Sequence, residues 1–422
     1  MTRTARFTPA LFAHAENLLR ELLRSSYPAD SVVSRYFREN RELGHADRGF
    51  VAETVFAVLR RRRSLTARCG DSAVPRRLLL VALACVRGWN QRELAAVLKE
   101  KEAEWFGAAK AMKAADMPPA VRCDLPDWLY ETLVKQLGEE ETEALAQALN
   151  QPAPLDLRVN PLKADRETVL AQFTADGIAA TAGSYSPLAI RLADKPALSQ
   201  HPMFINGGVE VQDEGSQLLG YLLAPRRGEM AVDFCAGAGG KTLLLGALMN
   251  NSGRLYAFDV SDKRLANMKP RLARSGLSNV HPVRIEHERD VKVKRLAGKV
   301  DRVLVDAPCS GLGTLRRNPD LKWRQGEEAI AELSAKQAAI LAAAATLVKQ
   351  GGRLVYATCS LLAAENDAVV DAFLDAHPQF IQLSAEEVLA KHGISIPGER
   401  LRLLPNRHNT DGFFAAVLER RE

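Results

Sequence analysis

The sequence predicts an α/β protein in three parts: an all-helical domain over residues 1–149, a small α/β subdomain over 150–225, and a Rossmann-like domain over 226–422. Three observations lead there. Residues 8–149 place apolar side chains three and four apart, as at Phe50, Val51, Val55, Val58 and Leu59, with no strand-like alternation. Pro152 and Pro154 break that pattern. From residue 230 onward, short apolar runs alternate with helical stretches, the βαβα rhythm of a doubly wound parallel sheet.

Within the helical part, Arg60, Arg61, Arg62 and Arg63, followed by Arg68, Arg76 and Arg77, gather positive charge near helix ends. The run reads equally as a solvated face or as a phosphate-contacting patch. After the prolines, residues 155–160 alternate like a strand and 165–173 resume as a helix. The strands of the last domain are expected at 231–234, 254–259, 280–285, 302–306 and 353–358, with a final one at 412–418.

Bulk properties narrow the function classes. The composition is 47% apolar and 26% charged, ordinary for a globular chain. The longest apolar run, residues 78–86, is far short of the roughly 20 residues a bilayer span needs, and the polar N-terminus lacks an apolar signal core. A cytoplasmic protein without a membrane partner is the expectation. Cys69, Cys85, Cys123, Cys235, Cys309 and Cys359 form no Cys-x-x-Cys or Cys/His cluster, so neither a metal site nor a disulfide framework is expected. Lys and Arg outnumber Asp and Glu by 57 to 51, which permits a polyanionic partner without demanding one. Nothing here sets an oligomeric state.

The loop Asp233-Phe234-Cys235-Ala236-Gly237-Ala238-Gly239-Gly240-Lys241-Thr242 joins a strand to a helix, where small residues let a ligand approach the backbone. A Walker loop fails at Cys235, where glycine is required, and a dinucleotide fingerprint fails at Thr242. An S-adenosylmethionine loop remains, with Asp259 ending the next strand where it can hold ribose hydroxyls. Cys235 needs no role beyond being small. Lys241 reads either as a contact to the methionine carboxylate or as a catalytic cation.

Two further cysteines end apolar runs: Cys309 in Asp306-Ala307-Pro308-Cys309-Ser310-Gly311 and Cys359 in Ala357-Thr358-Cys359-Ser360. Both thiols are therefore expected at one edge of the parallel sheet. Spacing does not say which one attacks.

Together these residues resemble the Sun (Nol1/Nop2/Sun) family of RNA (cytosine-5) methyltransferases. The likeness runs from about Pro152 to the end, through Leu157-Arg158-Val159-Asn160-Pro161, Val211-Gln212-Asp213-Glu214-Gly215-Ser216-Gln217, the glycine loop, both cysteine motifs, Arg316-Arg317-Asn318-Pro319-Asp320 and Asp411-Gly412-Phe413-Phe414. The N-terminal third is similar to the RNA-binding helical domain of NusB, through Ala46-Asp47-Arg48-Gly49-Phe50-Val51 and Val58-Leu59-Arg60-Arg61. That pairing resembles the bacterial RsmB enzymes, which modify small-subunit ribosomal RNA. The chain departs from the family pattern in the glycine loop, where relatives carry Ala-Ala-Pro-Gly-Gly-Lys. It departs again in Glu286-His287-Glu288-Arg289-Asp290, where an ungapped count puts His287 at the adenine-contacting acid, chemistry favours Asp290, and Glu286 competes.

The resemblance implies an enzyme that uses S-adenosyl-L-methionine to methylate carbon-5 of a cytosine in 16S ribosomal RNA. Cys359 is the implied nucleophile, Cys309 the residue that assists release, and Asp306 the group that steadies the cytosine edge. The cofactor site would comprise Cys235, Ala236, Gly237, Ala238, Gly239, Gly240, Lys241, Asp259, Asp290 and Asp306. Arg158, Arg316, Arg317 and Lys322 are the candidates for RNA phosphates. The alternatives are a transfer RNA substrate, or a non-catalytic RNA-binding assembly factor. DNA is disfavoured, since DNA enzymes use Pro-Cys-Gln where this chain has Pro308-Cys309-Ser310.

Overall fold

The computed structural model describes residues 7–421. The first six residues, on which the reading of a polar N-terminus partly rests, lie outside them. The described residues form two compact units: one holds the chain up to Pro152 together with Thr314–Gly326, the other Ala153–Gly313 and Glu327–Glu422. The continuous stretch expected for residues 226–422 is thus interrupted, because Thr314–Gly326 packs with the helices.

The first unit is helical. Thr8 caps the helix Pro9–Arg24 by accepting the Leu11 amide at 3.2 Å, and Leu18 and Leu19 from that helix bury completely with Val51, Val55 and Val58 of the helix His45–Arg60. The apolar run expected to be too short for a membrane is the helix Pro75–Cys85, buried from Leu78 to Ala84 at the centre of this core. Among the described residues no helix is long and apolar enough to cross a membrane.

Thr314–Gly326 supplies what one of these helices lacks at its end. The last carbonyls of an α-helix have no partner inside it and carry the negative end of its dipole. At the end of His45–Arg60 the Trp323 indole donates to the Leu59 carbonyl at 2.8 Å, and the Lys322 ammonium donates to the Arg60 carbonyl at 2.6 Å and to Asn150 at 3.0 Å. Several arginines of the run also bond within this unit. Arg60 donates to the Arg316 carbonyl, Arg63 to the Leu125 carbonyl and Asp127, and Arg68 to the carbonyls of Ala109 and Met112. Arg76 pairs with Glu102, and Arg77 lies over the Trp105 ring.

The second unit contains two sheets. The smaller is antiparallel, ordered β2-β3-β1-β4, from β1 (Leu155–Val159), β2 (Ala180–Ala182), β3 (Ala189–Leu192) and β4 (Val209–Val211). Leu157 and Val159 bury against Val169 and Phe173 of the helix Arg166–Ala175, which Asp165 caps at the Thr168 amide, 2.7 Å away. Alternation turns Asp156 and Arg158 to the opposite face. The larger sheet has β5 (Met230–Asp233), β6 (Arg254–Asp259), β7 (Val280–Arg284), β8 (Val300–Asp306), β9 (Val348–Thr358), β10 (Phe380–Leu383), β11 (Leu401–Leu403) and β12 (Phe413–Arg420).

The larger sheet is ordered β10-β12-β9-β8-β5-β6-β7, with β11 also on β12. Strands β5 to β9 are mutually parallel, and β12 is antiparallel to β9. The chain reverses direction of travel across the sheet at β5, between β6 and β8, which opens a crevice beyond the strands' C-terminal ends. β9 begins five residues earlier than expected. Gly351 and Gly352 resemble a turn in sequence, but they sit in a bulge where β9 carries extra residues against β8.

Candidate active site

Asp306 ends β8 and Thr358 ends β9, and these neighbouring strands run in the same direction with Asp306 opposite Ala357. Their exits bring together two cysteines that lie fifty residues apart: the Sγ atoms of Cys309 and Cys359 are 3.4 Å apart. The hydrogen bond to Cys359, followed by burial, pushes the Cys309 thiol well above the usual range. Glycines admit the backbones to this corner: a Cβ on Gly313 would lie 2.2 Å from the Gly412 carbonyl oxygen and 2.8 Å from that of Cys359.

A half-buried ion pair stands beside the thiols. Lys241, in the first turn of the helix Gly240–Leu248, places its ammonium 2.6 Å from Asp306 and 5.7 Å from the Phe413 ring centre. Burial works against the ammonium, but the adjacent Asp306 carboxylate outweighs it and the Lys241 pKa rises.

The glycine loop forms the other side of the same crevice. Gly237 donates its amide to Asp259 at 2.8 Å, and Asp259 also accepts the Ser261 amide at 2.8 Å, so the acid at the end of β6 fixes the loop while facing the crevice. Gly239 adopts φ +85°, and a Cβ there would meet Met268 at 2.5 Å. A cavity of about 960 Å³ runs from this loop past Asp259 and Glu286 to Asp306, Cys309 and Cys359. Among the described residues, no three His, Cys, Asp or Glu side chains cluster to hold a metal ion.

Residues 220–419 match the family model described as 16S rRNA methyltransferase RsmB/F, and residues 125–199 match the ferredoxin-like domain of RsmF/B-like methyltransferases. The "Probable ribosomal RNA small subunit methyltransferase B" of Synechocystis sp. is 34% identical over 96% of this chain and 98% of its own length. The chain belongs to the RsmB/F family of 16S rRNA methyltransferases. Another relative, the ribosomal RNA small subunit methyltransferase B of Sodalis glossinidius, is 38% identical over 69% of this chain and 65% of its own. Among solved structures, PH0851 aligns with a TM-score of 0.81 at 26% identity, covering 99% of this chain and 100% of that one. NSun6 from Pyrococcus horikoshii with SFG shares the fold, at TM-score 0.62 and 22% identity over 70% of this chain and 98% of that one.

RsmB/F enzymes take their methyl group from S-adenosyl-L-methionine, and the residues here fit that donor. It carries a sulfonium and an ammonium, and the cavity wall is rich in acids: Asp233, Asp259, Asp306, Glu286 and Glu288. Asp233 gives one carboxylate oxygen to Thr242 at 2.7 Å, while its other oxygen is buried with no hydrogen-bond partner. Burial raises the Asp233 pKa to about 7. A cationic ligand group would satisfy both the orphaned oxygen and the charge.

Not every expected member of the RsmB/F site reaches the cavity. Asp290 does not line it; its carboxylate accepts the Glu286 and Lys292 amides, each at 2.8 Å, and caps the short helix Val291–Lys294. Glu286, His287 and Glu288 form the wall there instead. Chemistry favoured Asp290 as an acid, but its carboxylate is taken up by the turn. Cys235 lines the cavity as a small residue, its thiol pushed up by burial.

Three of the four basic residues expected on RNA phosphates are buried. Arg158, 3% exposed, donates to the Gly240 carbonyl at 2.7 Å and to Gln212. Arg271 does the same from the helix Asp262–Ser275, donating to the Ala238 carbonyl at 2.7 Å and pairing with Glu210 at 2.8 Å. Two arginines thus hold glycine-loop carbonyls, a role no sequence signal revealed for Arg271. Arg316 is buried in the helical unit, Lys322 caps a helix there, and only Arg317 is partly exposed.

Two expected outcomes follow from these placements. Arg158→Met should weaken S-adenosylmethionine binding about tenfold, through lost charge-assisted hydrogen bonds of about 1–3 kcal/mol, while RNA affinity and its salt dependence stay unchanged in titration calorimetry and filter binding. A steeper loss of RNA binding would restore the phosphate role. For Lys322, burial lowers the pKa from 10.5 to about 7. Between those values the unfolded chain keeps a proton that the folded chain lacks, so this group's contribution to stability rises with pH from about 7 to about 10. The denaturation midpoint of the natural protein should therefore climb relative to Lys322→Met by roughly a few degrees from pH 7 to 9.5; parallel curves would refute it.

Proposed function

We propose that this chain methylates carbon-5 of a cytosine in 16S ribosomal RNA through a covalent cysteine–cytosine adduct. The observation that carries this reading is the pair of thiols 3.4 Å apart beside the Lys241–Asp306 pair, on the wall of the cavity that the glycine loop also lines. Carbon-5 is too weak a nucleophile to accept a methyl group directly. Addition of the Cys359 thiolate to carbon-6 makes the ring an enamine, whose carbon-5 then attacks. S-adenosylmethionine supplies the methyl group. The Asp306 carboxylate accepts from the exocyclic amine at the cytosine edge, and the Lys241 ammonium paired with it offsets the negative charge that builds on the ring during addition.

Completion requires transfer of the carbon-5 proton to water and departure of the Cys359 sulfur as a thiolate, which restores the aromatic ring. Cys309, held as a neutral thiol in contact with that sulfur, assists the release. The order of duty, Cys359 attacking and Cys309 releasing, rests on the resemblance to Sun-type enzymes. The target base must leave its stack to reach such a pocket, so the substrate is a single-stranded or flipped cytosine. Arg317 is the basic residue retained as a phosphate contact.

The deciding experiment uses small-subunit RNA transcribed with 5-fluorocytosine, whose carbon-5 cannot lose a proton after methylation. Natural enzyme with S-adenosylmethionine should give a denaturation-stable protein–RNA complex. Binding without that complex would refute the covalent reading and favour a non-catalytic assembly factor.

A further inference from the structure

The residue after each cysteine is a serine, and both serines reach one buried group. Glu365, fully buried, accepts the Ser310 amide at 2.8 Å, the Ser310 hydroxyl at 2.5 Å and the Ser360 hydroxyl. The two hydroxyls are themselves 3.2 Å apart. Gln337, also fully buried, donates to Glu365 at 3.0 Å and to the Pro308 carbonyl at 3.0 Å, so the residue before Cys309 is tied to the same point. Asn366 continues the brace by donating to the Ser360 carbonyl at 3.1 Å.

We propose that Glu365 is a positioning residue that sets the distance and orientation of Cys309 and Cys359, by fastening the residue after each thiol to one carboxylate. The proposal deepens the covalent reading and rests on it. A carboxylate met by an amide, two hydroxyls and a carboxamide is an expensive way to fill a core, since an apolar side chain of similar volume often serves stability as well or better. What the carboxylate adds is geometry. It joins two loops that leave different strands and have no covalent reason to keep their sulfurs in contact. A displacement of about 1 Å at reacting groups can lower a rate about a hundredfold.

The test measures geometry and chemistry separately. In the folded protein without RNA, diamide oxidises two adjacent thiols to a disulfide, taking up their two protons and two electrons to become the hydrazine. Mass spectrometry follows the Cys309–Cys359 link. Glu365→Leu should slow this cross-link at least about tenfold, and should slow adduct formation on 5-fluorocytosine RNA at least as much, with S-adenosylmethionine and RNA affinities within about twofold of natural. Glu365→Gln should rescue both: its carbonyl still accepts from the Ser310 amide and Gln337, and its amide faces two hydroxyls that can accept. If Glu365→Leu does not fold, the Ser310→Ala, Ser360→Ala double variant replaces it with the same expectation. Unchanged cross-linking in the Leu or double variant overturns the proposal, as does failure of Gln to rescue. A natural enzyme that forms no adduct overturns the reaction instead, and the cross-linking arm alone then judges Glu365.

Discussion

Cys359→Ala is expected to abolish both the RNA adduct and methyl transfer, a loss of at least about a thousandfold, because it removes the sulfur that forms the carbon-6 bond. Cys309→Ala should behave differently. Adduct still forms, release slows, and a denaturation-stable complex accumulates even on RNA containing ordinary cytosine. The physical ground is the state of the pair. The contact with Cys359 and burial raise the Cys309 pKa, which disfavours its thiolate, the form that attacks. Denaturing gels with labelled RNA, run beside single-turnover methylation, separate the variants. Accumulation with Cys359→Ala and loss of adduct with Cys309→Ala would reverse the assignment.

The second large effect is expected from Asp306→Asn, which should lower the single-turnover rate about a hundredfold or more with little change in folding. The amide keeps the shape at the end of β8 but removes the negative charge that Lys241 faces at 2.6 Å. Burial then acts on the Lys241 ammonium without its main opponent, and its pKa falls. Both the acceptor for the cytosine edge and the cation behind it are weakened together. The rate should therefore fall further as pH rises in the variant than in the natural enzyme. A variant within about threefold of natural activity, with an unchanged pH profile, would remove Asp306 from the reaction.

Much of the sheet was legible because β5, β6 and β8 are short apolar runs that each end in an aspartate. The expected span 254–259 agrees with β6 to the residue, and Asp259 ends it. The short strands β2, β3, β4, β10 and β11, three or four residues each, were missed because so few residues carry no periodic signal. The arginine run looked like a surface because four consecutive charges normally are one, yet several of those guanidiniums serve carbonyls and acids within the helical unit. Glu365 gave no signal at all, since its partners lie at positions 310, 337 and 360.

By itself the sequence determined the family's chemistry: two thiols at strand ends, a glycine loop leading to Asp259, and a parallel sheet to carry both. Each is a local pattern, written in consecutive residues whose burial or backbone freedom is dictated by their neighbours in the chain. Only the tertiary structure decided which polar residues face the cavity and which serve the fold. Arg158 and Lys322 have the side chains that a ligand would want, but carbonyls from distant segments claim them. A buried polar group must be satisfied by whatever folding brings near, and that partner is not written beside it in the sequence.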